Sequence, residues 1–239
     1  MGKVGTLEEA VARLRDGMTI MIGGFLDVGI PLKIVEKLRE IDVKDLTLIN
    51  TCGSMVGGGF GTAYLFAQGK IKKYITSHVG VAPEHLNAYK EGKLEVEFYP
   101  MGTWIEKIRA GGSGLGGVLT PVGIGTLVEE GKQKVTIDGK DYLIEKPLRA
   151  DIAFLKGYQA DRFGNVRCRY LQRNTNPIMA FAADYVVCEV NEFVDEIDPD
   201  LIHIVAPLVD VLVQGYTFEE EQRIYRDLWK ERKRLRAAG

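Results

Sequence analysis

The segment from Met18 to Pro31, MTIMIGGFLDVGIP, constrains the fold of this chain more than any other stretch. Its apolar run Ile20 to Ile22 is followed by two glycines, and Gly29 stands two residues before Pro31 and an amphipathic stretch. A short apolar run bounded by glycine is typical of a buried strand, and proline is favoured at the start of a helix. The segment therefore predicts a strand over 18–22, a tight turn, a helix from about Pro31 to Glu40 and a second strand at LTLIN.

The same alternation of strands and helices is predicted along most of the chain. Before the segment, Thr6 and Glu9 form a capping box for a helix whose apolar spacing runs until Gly17. After it, strands are predicted at KKYITSHVG, LEVEFYP, ADIAFLKGY and YVVCEV, and helices at PEHLNAYKEG and TWIEKIRAGG. In the middle, KVTIDGKDYLIEKP places Asp138-Gly139 between two alternating runs, which is typical of a β-hairpin. The predicted fold class is α/β, a mostly parallel open sheet with helices on both faces and a small antiparallel hairpin insertion.

Residues 1–216 are predicted to form one domain, because no solenoid repeat and no Pro/Ser-rich linker interrupts them. Residues 217–239 predict an appended amphipathic helix, with Thr217 and Glu220 as a capping box. One face of this helix is an apolar stripe made of Ile224, Tyr225, Leu228, Trp229 and Leu235. The stripe either folds back on the chain's own core or docks on a partner subunit. Trp229 favours the partner, because buried aromatic residues are common interface anchors.

Composition excludes several classes of protein. The net charge of −2 over 239 residues gives no basic surface for nucleic acid. No apolar run approaches the roughly 20 residues that cross a bilayer, so we expect no membrane partner and a cytoplasmic location. Cys52, Cys168 and Cys188 lack metal-ligand spacing, which predicts buried free thiols and no metal site.

Three glycine-rich segments follow predicted elements of the sheet. Gly23 and Gly24 either bring backbone N–H groups to an anion or oxyanion, or make a tight strand-to-helix turn. The segment Arg109–Thr126 holds seven glycines in eighteen residues, and its interleaved apolar residues predict a packed, shaped loop. The third, NTCGSMVGGGFG, places Asn50 and Thr51 at the end of a strand. None of the three matches a phosphate loop or a dinucleotide fingerprint.

The chain shows no clear attacking group. His78, His85 and His203 lack zinc spacing and are interpreted as surface or capping residues, with His78 the best candidate for a base because it ends a strand. No G-x-S-x-G elbow occurs. The carboxylates Glu129, Glu130 and Asp184 are candidates for acid/base work, although such runs are usually solvated faces. The residues thus predict the shaped loops of an active site without its nucleophile.

The segment around the first glycine pair resembles the signature of a known enzyme family. DGMTIMIGGFLDVGIP resembles the signature of the alpha subunit of family-one CoA transferases, of the 3-oxoacid or acetate/acetoacetate type. The likeness continues through GTWIEKIRAGGSGLGGVLTPVGIGTLVEEGK, EKPLRADIAFLKGYQADRFGNV and RNTNPIMAFAAD to about Gly215. It implies a heteromeric enzyme, a heterotetramer or larger, whose beta subunit carries a catalytic glutamate in a Glu-Asn-Gly context that this chain lacks. It also implies ping-pong transfer of CoA through a glutamyl-CoA thioester to acetate, butyrate or a 3-oxoacid, with CoA as substrate and no permanent cofactor.

The resemblance assigns roles to particular residues. It implies a CoA-binding loop made of Gly23, Gly24, Phe25, Leu26, Asp27, Val28 and Gly29. It implies substrate contacts for Asn50, Thr51, Met101, Gly114 and Gly116, with GGSGLGG shaping the subunit contact and the acyl pocket. Asn174 and Asn176 are expected to hold a turn.

Two residues depart from the family's pattern. Met101 stands where many relatives have the glutamine of Pro-Gln-Gly-Thr. Because a thioether has no donor, this disfavours acetoacetate as the preferred acceptor and favours a more apolar or differently shaped acyl group. Asp27 is unusual in the glycine loop. It either binds a cationic group or caps the helix that follows, and we prefer the cap.

Two other functions remain open on the residues alone. A phosphosugar isomerase of related fold needs its own catalytic carboxylate and a basic phosphate grip, for which Arg109 is the single candidate. An effector-binding module is the other alternative, although no DNA-binding segment is appended to the chain.

Overall fold

The computed structural model describes residues 3–238, with side chains through residue 233. The α-helices are α1 (Leu7–Val11), α2 (Leu32–Glu40), α3 (Ala63–Ala67), α4 (Pro83–Lys90), α5 (Met101–Gly112), α6 (Asn176–Met179) and α7 (Phe218–Ala238). The strands are β1 (Thr19–Ile22), β2 (Leu46–Ile49), β3 (Ile71–Thr76), β4 (Glu95–Phe98), β5 (Val118–Thr120), β6 (Lys134–Ile137), β7 (Lys140–Glu145), β8 (Ala150–Ala160), β9 (Val166–Arg167), β10 (Ala183–Phe193) and β11 (Val211–Gln214). Short 3-10 helices lie at Leu127–Glu129, Tyr170–Arg173, Pro199–Leu201 and Ala206–Leu208.

The main sheet has eight strands. Seven follow the order β11-β10-β8-β1-β2-β3-β4, and every neighbouring pair along this path is parallel. The eighth strand, β9, pairs antiparallel with β8. Parallel neighbours require crossover connections, and the helices of those connections cover the faces of the sheet. The predicted fold class is confirmed.

Each face of the sheet has its own hydrophobic core. Successive side chains of a strand point to opposite faces. Ile20 and Ile22 of β1 therefore join one cluster together with the apolar face of α2. Met21, between them, joins the other cluster, which contains Trp104 of α5. This arrangement explains why the three consecutive apolar residues of β1 are all fully buried.

The hairpin predicted at Asp138-Gly139 is present and belongs to a second sheet. Both residues have positive φ, +51° and +74°, as a two-residue type I′ turn requires. The strands β6 and β7 pair antiparallel on either side of this turn. The sequence did not predict β5, which arises from the second glycine-rich segment and completes a three-stranded antiparallel sheet in the order β5-β7-β6.

The N-terminal helix differs from its prediction. The capping box is present, because the Thr6 hydroxyl accepts from the Glu9 amide and the Glu9 carboxylate accepts from the Thr6 amide. The α-helix nevertheless ends at Val11 rather than near Gly17. Leu14 is buried all the same, because the turn that follows α1 folds it into the core. The expected helix length was wrong because apolar spacing alone does not distinguish helix from turn.

The C-terminal helix α7 folds back on the chain's own core. Its capping box is present, with reciprocal hydrogen bonds between Thr217 and Glu220. Glu221 is buried against Lys156, with 3.0 Å between carboxylate oxygen and Nζ. Trp229, the residue from which contact with a partner subunit was expected, is 43% exposed in this chain. Leu235, the last residue of the predicted stripe, has a side chain outside the described residues.

Two further expectations concern the whole chain. The three cysteines are free and buried, as predicted. Among residues 3–238, none of the helices combines the length and the apolar character that crossing a bilayer demands.

Candidate functional site

A cavity of about 430 Å³ opens where β1, β2 and β3 end and α5 begins. It is lined by Phe25, Leu26, Cys52, Val56, Ser77, His78, Val81 and Met101. Carboxyl ends of parallel strands meet at one edge of a sheet, which is where α/β proteins bind ligands. The walls are mainly apolar, and Ser77 and His78 supply the polar side chains besides the Cys52 thiol. This is the candidate site.

The first wall is a strained turn. Phe25 and Val28 exchange backbone hydrogen bonds of 3.0 and 2.9 Å around the two residues Leu26 and Asp27. Both of these have positive φ, +49° and +60°, the geometry of a type I′ turn, in which aspartate is common and leucine is unusual. A left-handed residue other than glycine costs on the order of 1–3 kcal/mol and persists only where the surroundings enforce it. The turn is therefore held by contacts from elsewhere in the chain.

The glycines beside this turn are required by the chain's own packing. A Cβ at Gly23 would overlap the side-chain oxygen of Asn176, and one at Gly24 would overlap Ile30. The amide of Gly23 donates to Phe154 O at 3.2 Å, and that of Gly24 donates to Thr175 Oγ1 at 3.0 Å. Both amides thus already have partners within the chain. The tight-turn interpretation of these two glycines is the one that the contacts favour.

Asn176 braces this turn from α6. Its side-chain amide donates to the carbonyls of Gly29 and Gln172, both at 3.0 Å, and its oxygen accepts from the Lys156 amide at 2.8 Å. The side chain is fully buried. Asn176 therefore holds a turn, as expected from the sequence.

The prediction that Asp27 caps α2 is wrong. The N-cap residue of α2 is Pro31, and no side chain bonds to that end of the helix. The Asp27 carboxylate is buried and accepts from the amides of Met55 and Thr62 at 3.2 Å and from the Thr62 hydroxyl at 3.0 Å. Burial raises the pKa of this carboxyl, while the hydrogen bonds oppose that shift. Asp27 ties the strained turn to the glycine loop after β2 rather than to α2, whose N-cap residue Pro31 lies four residues further along the chain.

Asn50 and Thr51 lie at the end of β2 as predicted, but both are buried behind the cavity wall. The Asn50 side chain donates to Ile22 O at 2.8 Å and accepts from the Cys52 amide at 3.2 Å. The carbonyl of Thr51 accepts from the hydroxyl of Ser77 at 2.5 Å. These residues connect the ends of β1, β2 and β3, and neither is among the residues that line the cavity.

The polar floor of the cavity contains a thiol and an imidazole. Cys52 Sγ lies 3.6 Å from His78 Nδ1, and the Gly80 amide donates to the same nitrogen at 2.9 Å. Nδ1 is therefore an acceptor, so a neutral His78 carries its proton on Nε2. Burial, with a smaller contribution from the Asp27 charge, raises the pKa of Cys52 to about 11. The thiol is protonated near neutral pH and is a poor nucleophile, because thiolate is the reactive form.

Met101 is half-exposed at the first turn of α5 and lines the cavity. Its sulfur lies 3.5 Å from Ser77 Oγ. Ser77, Val56 and Val81 also line the cavity and were not identified from the sequence. Their position just after the ends of β2 and β3 was the available signal, because residues that follow neighbouring parallel strands converge.

The second glycine-rich segment is less packed than predicted. Leu115, Leu119 and Val122 are about half-exposed, and Leu127 just after the segment is 83% exposed. A Cβ at Gly114 or Gly116 would meet no atom within 4 Å. Neither glycine lines the cavity. Leu115, Leu119 and Val122 are thus largely uncovered within the described part of this chain.

His85 was expected at the surface and is instead fully buried. Its ring lies 3.8 Å from that of Phe66 between centroids, and both ring nitrogens lack hydrogen-bond partners among the described residues. Burial lowers the pKa of His85 to about 4. The expectation failed because a neutral imidazole can pack as an aromatic residue.

A second cavity, of about 460 Å³, lies between α5 and the residues around α6. Arg109 and Arg173 line it together with Ile105, Ile178 and Phe181. Arg109, the phosphate grip required by the isomerase alternative, therefore lies outside the first cavity. The candidate acid/base residues Glu129, Glu130 and Asp184 are also absent from the lining of the first cavity.

Comparison with known proteins identifies relatives over most of the chain. The family model described as Coenzyme A transferase matches residues 4–215. The chain is 47% identical over 207 residues to the alpha subunit of acetate CoA-transferase from Escherichia coli strain K12, covering 86% of this chain and 92% of that protein. It is 44% identical over 192 residues to the alpha subunit of the acetoacetyl-CoA:acetate/butyrate CoA transferase of Clostridium acetobutylicum, covering 80% and 87%.

Among solved structures, an acyl-CoA transferase from Escherichia coli O157:H7, in a thioester complex with CoA, shares this fold with a TM-score of 0.77. The two chains are 24% identical, and the alignment covers 90% of this chain and 48% of that one. This chain thus spans about half the length of that protein.

Proposed function

This chain belongs to the coenzyme A transferase family, and we propose from that premise that it is the alpha subunit of a heteromeric enzyme that moves CoA from an acyl-CoA to a short-chain carboxylate. The observation that carries the proposal is a cavity at the carboxyl ends of the parallel strands whose described lining includes no carboxylate. Such a site has walls and hydrogen-bond donors but needs its nucleophile from another chain. The family match gives no support to the phosphosugar isomerase and effector-module alternatives.

The chemistry proposed is ping-pong transfer through a glutamate of the beta subunit. The glutamate carboxylate attacks the thioester carbonyl, the C–S bond breaks, and CoA thiolate leaves an acyl-glutamyl anhydride. The thiolate then attacks the glutamyl carbonyl, releasing the first carboxylate and forming a glutamyl-CoA thioester. The acceptor carboxylate reverses these steps, so that CoA ends on the acceptor and the glutamate is regenerated. Each attack passes through a tetrahedral oxyanion, where one positioned donor is worth about 3–4 kcal/mol.

The chain's own cysteine does not replace that glutamate in the proposal. The cavity lining offers three nucleophilic groups, the Cys52 thiol, the Ser77 hydroxyl and the His78 imidazole. The raised pKa of Cys52 keeps its thiol protonated. Ser77 is occupied in a hydrogen bond to Thr51 O. His78 Nε2 has no partner among the described residues and is the proposed donor to a carboxylate or oxyanion.

CoA is proposed as a substrate that enters and leaves, not as a permanent cofactor. Within the loop Gly23 to Gly29, Phe25 and Leu26 are proposed to contact the ligand, since both line the cavity. The remaining loop residues, Asp27 included, are proposed to hold these two in place. Asn50 and Thr51 support the polar edge from behind, and Gly114 and Gly116 are proposed to lie at the subunit contact.

The acyl group is proposed to be short and largely apolar. Phe25, Leu26, Val56 and Met101 form most of the wall of a cavity of about 430 Å³. The relatives named above act on acetate, acetoacetyl-CoA and butyrate. Butyrate fits this wall best, because Met101 provides bulk and polarisability without a hydrogen-bond donor.

The beta subunit is proposed to cover the second glycine-rich segment and β5, in a heterotetramer or larger assembly. Leu115, Leu119, Val122 and Leu127 are exposed apolar side chains there, and Leu119 and Val122 line the same cavity. Exposed apolar patches are typical of protein interfaces. A cytoplasmic location is also proposed, since three free thiols suit a reducing compartment.

The test is reconstitution. The purified chain is assayed for CoA transfer from butyryl-CoA to acetate, alone and after mixing with the beta chain. We expect activity from the mixture and none from either chain alone. A beta chain whose Glu-Asn-Gly glutamate is changed to alanine is the control and should restore nothing. Turnover by the isolated alpha chain would contradict the proposal.

A further inference from the structure

The helix α7 lies beyond residue 215, where the family match ends, and it contacts both loops that wall the cavity. We propose that α7 is a strap that holds the strained turn at Leu26 and Asp27, and that Tyr225 is its positioning residue. The role rests on the proposed function, because it concerns the shape of the same acyl cavity. The proposal gives a role to α7, which lies outside the residues matched by the family model.

The first contact is made at the turn itself. The Tyr225 hydroxyl donates to the backbone carbonyl of Asp27. Burial raises the pKa of Tyr225 well above its ordinary value, so the hydroxyl remains a donor at any working pH. Asp27 thus has its side chain bonded to the loop after β2 and its carbonyl bonded to α7. Rotation of the peptide between Asp27 and Val28 breaks the bond from Tyr225 to its carbonyl and the bond from its N–H to Phe25 O.

The second contact is made at the loop after β2. The ring of Tyr225 packs edge-on against Phe60, with 5.7 Å between ring centroids and an angle of 69°. Two turns further along α7, Arg232 donates to the carbonyl of Gly58. Gly57, Gly58 and Gly59 all have positive φ and no side chains with which to hold themselves. The same helix therefore fixes both loops on which Asp27 depends.

The strap has a rigid base. Lys156, in the middle of the long strand β8, is fully buried between the carboxylates of Glu189 and Glu221, at 3.0 Å from each. The Asn191 side chain also donates to Glu221, at 2.6 Å. Glu189 accepts from the Ile34 amide at 3.0 Å, which links the network to the start of α2. An ion network this buried holds its members in one geometry, because a member that moves leaves a buried charge without its counter-charge.

These contacts lead to a consequence for substrate choice. Leu26 and Phe25 line the cavity, and their positions depend on a turn whose backbone is held from outside. Without the Tyr225 hydroxyl, the turn can leave its left-handed conformation and move the apolar wall. The discrimination between acyl groups of different length then changes, and Cys52 on the cavity floor becomes more accessible.

The test uses Tyr225→Phe, which removes one hydroxyl and keeps the ring. The matched control is Tyr216→Phe, whose hydroxyl bonds to the Glu36 carboxylate on the surface and touches neither loop. The full-length chains are treated with iodoacetamide, and alkylation of each cysteine is followed by peptide mass spectrometry. We expect Cys52 to be alkylated at least fivefold faster in Tyr225→Phe than in the wild type or the control. Cys168 and Cys188, both fully buried, serve as internal references for global opening.

The second measurement uses the complex with the beta chain. The ratio of kcat/KM for butyrate to that for acetate is expected to fall about threefold or more in Tyr225→Phe and to stay unchanged in Tyr216→Phe. Partial unfolding lowers kcat/KM for both substrates by the same factor, so it leaves their ratio unchanged. Arg232→Gln, which loosens the other loop, should move both readouts in the same direction by less, and it serves if Tyr225→Phe fails to fold.

Unchanged alkylation of Cys52 relative to the control would overturn the strap, whether or not the complex is active. Equal acceleration at all three cysteines would also overturn it, because that result indicates global loosening. A wild-type complex that transfers no CoA would count against the proposed function alone, since the alkylation experiment needs no turnover.

Discussion

The two glycine-rich regions around Gly23 and Gly116 look alike in sequence and differ in structure. At Gly23 and Gly24 the chain itself fills the space that a Cβ would need, and Asn176, Thr175 and Tyr225 all bond to the turn. Around Gly116 there is open space, and the neighbouring Leu115 is 58% exposed. The first region is complete in one chain. The second presents apolar surface that nothing in the described chain covers.

The difference teaches that glycine serves two purposes here. At Gly23 it is the only residue that fits between β1 and a buried asparagine. At Gly116 it leaves a flat surface that another chain can approach. The helix α5 connects the two regions, since it begins with Met101 at the cavity and ends with Gly112 at the second segment. Four predictions test this comparison.

The largest effect is expected from Gly23→Ala. Its new Cβ would overlap the Asn176 side chain, which is bonded on three sides, so the backbone or the asparagine must move. We expect a loss of about 3 kcal/mol in the free energy of unfolding, as for overpacking in a core. Gly116→Ala is the matched control, because both glycines have ordinary φ and differ in the space around them. Urea denaturation measures both, and equal losses would remove the distinction between the regions.

Acid is expected to loosen the first region selectively. His85 packs against Gly53 in the loop after β2, and its pKa is lowered from 6.5 to about 4. Above pH 6.5 the ring is neutral in both folded and unfolded chains. As the pH falls from 6.5 to about 4 the unfolded chain binds a proton that the folded chain does not, so about 2–3 kcal/mol of stability is lost.

His85→Leu should flatten this pH dependence, because leucine is apolar and has no proton to bind. Urea denaturation at pH 7 and at pH 4.5 gives the change in the free energy of unfolding for the wild type and for His85→Leu. Hydrogen exchange should show the loss around residues 53–85 and not in the segment 109–126, which contains no Asp, Glu or His. An identical pH slope in wild type and variant would contradict the prediction.

The second region is tested by Leu119→Asp. Leu119 is 46% exposed, so the isolated chain should lose less than about 1 kcal/mol of stability. Binding to the beta chain should weaken by about tenfold, roughly 1.4 kcal/mol, because a charge is placed in an apolar contact. Val205→Asp is the control, since Val205 is 47% exposed and lies outside the segment. Dissociation constants from analytical ultracentrifugation decide, and equal weakening by both variants would argue against this surface.

The smallest effect is expected where α5 meets the cavity. Met101→Gln adds a donor beside Ser77 and should raise kcat/KM for acetoacetate relative to butyrate about fivefold, since one hydrogen bond contributes roughly 1 kcal/mol. Met101→Leu keeps the bulk without a donor and should leave the ratio near that of the wild type. If Met101→Leu moves the ratio as far as Met101→Gln, volume and not hydrogen bonding sets the preference.

Much of the fold followed from local patterns. The strands β1, β2 and β8, the hairpin at Asp138-Gly139 and the capping boxes at Thr6 and Thr217 lie where periodicity and turn chemistry place them. Errors arose where a residue's partner is distant in sequence. Asp27 was predicted to cap α2 and instead bonds Thr62, and His85 was predicted at the surface and is buried against Phe66.

The candidate site was only partly predictable for the same reason. The sequence indicates Phe25, Leu26 and Met101 of the cavity lining, whereas nothing in it indicates Ser77, Val56 or Val81. The loop after β2 was singled out for its glycines and for Asn50 and Thr51, not for Val56, and the loop after β3 carries no motif of its own. Their residues line the cavity because the strand order places β2 beside β1 and β3 beside β2.

Local periodicity, turn chemistry and the family signature were enough to predict the α/β class and a tight turn after β1, because each depends on neighbouring residues in the chain. Local patterns did not determine where α7 packs, because its apolar stripe suits a partner subunit as well as the chain's own core. What settled it was the Lys156 ammonium, buried in β8 between Glu189 and Glu221. A buried charge requires its counter-charges, and a pairing across 65 residues of sequence becomes visible only when the chain is folded.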